Sequence, residues 1–137
     1  MSLWVNKTVN NDIVHFIGFR QPGAQASFWQ IYTWSGKIDF SSWDANSTML
    51  GVNAPGEAII NTWLNIVATY ENGNWKIYIN GVLKGSNTSN SNFQNDVNQE
   101  LTIGNSGGFQ PYYGKIDDVR IYRRALSQAD VTYLATH

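Results

Sequence analysis

The chain contains no cysteine, which rules out a disulfide framework, a thiolate metal site and a cysteine nucleophile. Charge is scarce as well. Nine Lys and Arg stand against ten Asp and Glu, for a net charge of -1 with no basic run. The positive field that neutralising phosphates requires is missing, so nucleic acid is not an expected partner. No apolar run reaches the length of a membrane-spanning helix, and Met1-Ser2-Leu3 is not followed by the apolar core of a signal peptide. Acidic pairs are nearly absent: Glu57, Glu71 and Glu100 stand alone, and Asp39 has no acidic neighbour two residues away. The pair of carboxylates that glycoside hydrolysis uses is therefore not expected, nor is an enzyme. Asp117-Asp118 is the one adjacent acidic pair, and strand alternation sends such neighbours to opposite faces. His15 and His137, the two histidines, supply neither a Ser-His-Asp arrangement nor a metal triad. His15 is expected to be a hydrogen-bonded strand residue.

What the chain has in quantity is aromatic and neutral polar side chains: six Trp and seven Tyr among many Asn, Ser, Thr and Gly. This is the composition of an extracellular β-sandwich with a hydrogen-bonding, weakly charged surface. At 137 residues the length suits one domain, 1–137, with a real core. The clearest stretch is Trp63 to Gly85, where Asn72-Gly73 and Asn80-Gly81 each close a tight turn between β-branched and aromatic strands. A three-stranded meander is expected there. Further strands are expected at Ser2–Lys7, Ile13–Arg20, Phe28–Trp34, Lys37–Trp43, Leu101–Gly104 and Lys115–Tyr122. Asp44–Asn61 reads as a polar connection with one possible short strand, and Ser86–Glu100 as a long polar surface loop. Ser127, with Asp130 three residues on, caps a short helix over Gln128–Ala135. Antiparallel strands with local turns and one closing helix predict an all-β fold, a two-sheet antiparallel jelly-roll sandwich.

The hairpin Phe28–Trp43 carries the candidate chemistry. Ile38 and Phe40 face a core, whereas Gln30, Tyr32, Trp34, Asp39 and Trp43 fall on the opposite, polar-aromatic face. Sugar recognition needs flat aromatic faces for the C–H side of a pyranose and polar side chains for its hydroxyls. Phe109 and Tyr112, in the loop before the last strand, could rim such a site.

Trp63-Leu64-Asn65-Ile66-Val67-Ala68-Thr69-Tyr70, an Asn-Gly turn and Trp75 to Gly81 resemble the middle hairpin of the laminin G-like jelly rolls in the concanavalin A-like lectin and glucanase superfamily. The run Tyr113-Gly114-Lys115-Ile116-Asp117-Asp118-Val119-Arg120-Ile121-Tyr122, followed by Ala125-Leu126-Ser127, resembles its C-terminal signature. The resemblance covers the second half of the chain and implies a lectin-like, non-catalytic carbohydrate-binding module, secreted or at a cell surface. A protein-binding adhesion or assembly module of the same fold is the alternative. Calcium is implied as a possible cofactor, with Asp117 and Asp118 as metal ligands. Trp63, Trp75 and Tyr113 match positions that look like packing positions. The family's opening strand or strands, which precede the one matched by Leu3-Trp4-Val5, are absent here, so an open sheet edge and a homo-oligomer formed through it are expected.

Overall fold

The computed structural model describes residues 1–10, 13–20, 27–90, 98–105 and 111–137. Ten strands and one helix follow in chain order: β1 (Ser2–Lys7), β2 (Val14–Arg20), β3 (Ser27–Trp34), β4 (Lys37–Trp43), β5 (Met49–Ala54), β6 (Trp63–Glu71), β7 (Asn74–Ile79), β8 (Val82–Thr88), β9 (Glu100–Ile103), β10 (Gly114–Arg120) and α1 (Gln128–Thr136). They form two five-stranded sheets, ordered β10-β1-β6-β7-β8 and β5-β4-β3-β2-β9, with every strand pair antiparallel. This is the expected jelly-roll sandwich.

Three hairpins share one turn chemistry. Ser35-Gly36, Asn72-Gly73 and Asn80-Gly81 all have positive φ at both central residues, the geometry whose twist matches that of the flanking strands. The meander expected over Trp63–Gly85 is β6-β7-β8. The polar connection after Asp44 contains a full strand, β5, whose Leu50, Val52 and Ala54 face inward while Met49, Gly51 and Asn53 alternate with them. β8 runs on to Thr88, because its polar residues need only ladder hydrogen bonds at an exposed edge, not burial.

Between the sheets lie Leu3, Val5, Phe16, Ile31, Ile38, Phe40, Ile66, Ile77 and Trp75, all buried. Trp29 stands at a register shift between β2 and β3 with φ at 52°, and its indole stacks on Trp75 at 5.4 Å. That side chain packs against the core, on the face where alternation with Ile31 places it.

Along one side of the sandwich the two sheets meet directly. At the β5/β8 side, Asn87 Nδ2 donates to the Gly51 carbonyl at 2.8 Å, and Lys84 pairs with Glu57 at 2.8 Å. A Cβ on Gly85 would lie 2.2 Å from the Asn53 carbonyl oxygen, so the two sheets meet here through bare backbone. β9 and β10 are the opposite edges, and there Leu101, Ile103 and Ile121 are nearly half exposed.

The helix lies on the outer face of the first sheet. Val131, Leu134 and Leu126 cover Val67 and Tyr78. Its start is fixed as expected: Ser127 Oγ accepts from the Asp130 amide, while Asp130 Oδ2 accepts from the Ser127 amide at 2.8 Å. Arg124 adds an ion pair to Asp130 at 2.8 Å.

Candidate functional site

The outer face of the second sheet collects the polar-aromatic side chains of four strands. β3 and β4 are set in register by the Ser35-Gly36 turn, which pairs Trp34 with Lys37, Tyr32 with Asp39 and Gln30 with Ser41. β5 adds Asn53 beside Asp39 and Met49 beside Trp43. β2 adds His15 beside Tyr32. One row therefore reads Asn53, Asp39, Tyr32, His15 straight across the sheet.

Gln30, Tyr32, Trp34, Asp39 and Trp43 do share this face, but unequally. Trp34 is 50% exposed, whereas Gln30 and Tyr32 retain only 5% of their surface. Gln30 Nε2 donates to Ser41 Oγ at 3.2 Å. Tyr32 stacks on His15 at 5.2 Å, and its hydroxyl lies 3.6 Å from Met49 Sδ. These two are the floor of the site. What stands clear of the floor is the Trp34 indole, the half-buried Asp39 and Trp43, and the adjoining Asn53, Met49 and Lys37.

Asp39 is the most unusual group here. Among the described residues its carboxylate accepts no hydrogen bond. Burial raises its pKa to about 6, against the opposing pull of Lys37. Tyr32 is shifted upward too, first by burial and then by the Asp39 charge, with the Ser41 hydrogen bond acting the other way. A part-buried carboxylate without partners is costly. Combined with an exposed indole and an amide, it gives acceptors and donors for hydroxyl groups beside a flat apolar surface.

Alternation within the hairpin placed Ser41 on this face as well, but not His15, Met49 and Asn53, which arrive from the neighbouring strands. The signal for Met49 and Asn53 was their alternation with Leu50, Val52 and Ala54 in β5. His15 required the β2–β3 register, which a bulge shifts. It is a buried strand residue whose ring stacks on Tyr32.

Phe109 lies outside the described residues. Tyr112 is not on this face: its ring meets Phe16 edge-on at 5.3 Å and its hydroxyl donates to the Lys115 carbonyl at 3.0 Å. Tyr112 is partly buried against the core, and that burial pushes its phenol up to about 12.

Asp117 and Asp118 do not part to opposite faces. β1 and β10 change register between Ser2 and Trp4, and Asp118 takes φ of 51°. The bulge turns both aspartates to one cleft on the outside of the first sheet, with Trp4, Trp63, Arg120 and His137. Asp118 pairs with Arg120 at 2.8 Å. Among the described residues no group of three or more His, Cys, Asp or Glu stands together as a metal cage. Trp75 is fully buried as a packing residue should be, but Trp63 is 40% and Tyr113 50% exposed; both sit on surfaces, not in the core.

Comparison with known proteins follows this architecture. A laminin G-type family model, described as concanavalin A-like lectin/glucanases superfamily, matches residues 1–132. The chain belongs to that family. A comparison with curated protein sequences gives no match. Among solved structures, CBM40 of the Ruminococcus gnavus IT-sialidase, bound to α2,3-sialyllactose, superposes with a TM-score of 0.79 at 14% identity, covering 98% of this chain and 80% of that one. Domain 4 of AbnA, an extracellular arabinanase from Geobacillus stearothermophilus in complex with arabinotriose, gives 0.77 at 28% identity, covering 98% and 64%. The botulinum neurotoxin type G receptor-binding domain gives 0.73 at 23% identity, covering 98% of this chain and 36% of that one. The chain thus spans about a third of the toxin domain's length and under two thirds of the arabinanase domain's. No helix among the described residues is long and apolar enough to cross a membrane.

Proposed function

We propose that this protein is a non-catalytic carbohydrate-binding module that holds a glycan on the outer face of its second sheet. The single observation that carries the reading is Trp34, half exposed on the same face as a carboxylate, Asp39, that has no hydrogen-bond partner among the described residues. A pyranose stacked on the indole would bring its hydroxyls toward Asp39 and Asn53, its neighbours on the same face. Trp43 and Met49 extend the surface along β4. From Lys37 to Trp43 is a run of six residue steps, roughly 20 Å of strand, so the surface suits a chain of sugars. The module would act secreted or at a cell surface, as the extracellular arabinanase domain does by its description. Binding to a broad glycan array, with calcium and with chelator, tests this. Selective binding supports the reading, and its loss in chelator would add the calcium expected of related jelly rolls. A blank array from folded protein would overturn it.

A second reading has its own observation. Leu101, Ile103 and Ile121 are 45%, 47% and 49% exposed at the β9/β10 side, where, among the described residues, both strands are sheet edges. Such an edge accepts another strand, and an adhesion module or homo-oligomer would use it. A mass in solution that stays monomeric at high concentration would count against the oligomer.

A further inference from the structure

The cleft outside the first sheet is separate from the glycan face and has its own chemistry. Trp4 on β1 is the direct cross-strand neighbour of Asp117 on one side and Asn65 on the other. Trp63, two residues along β6 from Asn65, lies diagonally beside Trp4 on the same face. A cavity of about 540 Å³ opens between these indoles, Asp117, Asp118, Arg120 and His137. It exists because of the β10 bulge: without Asp118 at φ 51°, one of the two carboxylates would point into the sandwich.

Charge decides what such a cleft would take. Arg120 is occupied by Asp118 at 2.8 Å. Asp117 meets only the Asp118 amide, through Oδ1 at 2.8 Å, and its other oxygen has no partner among the described residues. Beside His137, two carboxylates stand against one guanidinium, and two indoles complete the lining, aromatic surface of the kind on which cations settle. An anionic sugar is disfavoured there, and a neutral one gains nothing from the charge. An ammonium gains both from the carboxylate and from the rings. Lys115 lies two residues from Asp117 on the same strand but does not line the cavity.

We infer that the Trp4, Trp63 and Asp117 cleft is a second binding site, for an organic ammonium group such as the free amine of an amino sugar. The inference stands apart from the Trp34 face and does not need it. Titration of the intact chain, followed by tryptophan fluorescence, with glucosamine oligomers, with N-acetylglucosamine oligomers of equal length and with choline separates the possibilities. Glucosamine oligomers or choline should bind, and the acetylated oligomers about tenfold more weakly or not at all. Binding by choline alone would identify a quaternary ammonium as the favoured source. Asp117→Asn, an exposed change that should not disturb folding, and Trp63→Ala should each weaken the ammonium ligand about tenfold, while Trp34→Ala leaves it unchanged. Equal binding of acetylated and free amines, no binding of either ammonium probe, or an Asp117→Asn variant that binds as well as wild type would overturn the inference.

Discussion

The two outer faces of this sandwich are made by the same strand alternation and end differently. On the first sheet, Val67 and Tyr78 point outward and are apolar enough to need a cover, which α1 supplies through Leu126, Val131 and Leu134. On the second, the outward row is Asn53, Asp39, Tyr32 and His15, and Trp34 beside it remains half exposed. An outward apolar pair recruits a helix because burial is favourable. On the polar face Tyr32 and His15 are buried, and Trp34 is the aromatic that stays half exposed. Exposure, not residue type, separates packing aromatics from candidate binding ones in this chain: Trp75 and Trp34 differ by their side of the sheet and by nothing in their chemistry.

This contrast can be broken at its strongest point first. Leu134→Ala removes a side chain that is 7% exposed, so it should lower unfolding free energy by about 2 to 3 kcal/mol in a denaturant titration and leave glycan affinity unchanged. Trp34→Ala combined with Trp43→Ala should do the reverse. Glycan affinity should fall by at least about tenfold, or roughly 1.4 kcal/mol, with a stability change of less than about 1 kcal/mol.

The smallest effects are titrations of opposite sign, one on each face. The folded pKa of Asp39 is about 6 against an ordinary 3.8, so between those values the native state holds a proton that the unfolded chain has released. Stability should therefore fall as pH rises through that window, then level off, and Asp39→Asn should remove the slope. Asp130 is held far below the ordinary carboxylate range, first by the hydrogen bond from Arg124 and then by the Ser127 amide and hydroxyl. Its contribution is present above 3.8 and lost as the pH falls below, and Asp130→Asn should lose it at neutral pH. Thermal melts from pH 3 to pH 8 check both.

The sandwich was legible in the sequence because its signals are local. Asn72-Gly73, Asn80-Gly81 and Ser35-Gly36 specify hairpins within a few residues, and the Ser127–Asp130 box specifies the helix start. β5 was harder, since Met49 to Ala54 alternates weakly and carries a glycine. The candidate site was legible as a hairpin face but not as a surface. That Gln30 and Tyr32 would form the floor depends on His15 and Met49, which arrive from β2 and β5 through register that no single segment encodes. The bulge at Asp118 was invisible for a related reason: an aspartate in the left-handed region is accessible at small cost, and neighbouring residues give no sign of it. Alternation therefore parted two carboxylates that the fold keeps together.

Six tryptophans distributed over the core, the proposed glycan face and the first-sheet cleft provide their own probe. Adding a neutral oligosaccharide selected on the array to uniformly ¹⁵N-labelled protein, and following the six indole N–H resonances, tests the proposed face directly. The Trp34 and Trp43 signals should shift with saturating dependence while Trp75, Trp4 and Trp63 stay in place. Saturating shifts at Trp4 and Trp63 with Trp34 and Trp43 unmoved would contradict the proposed face.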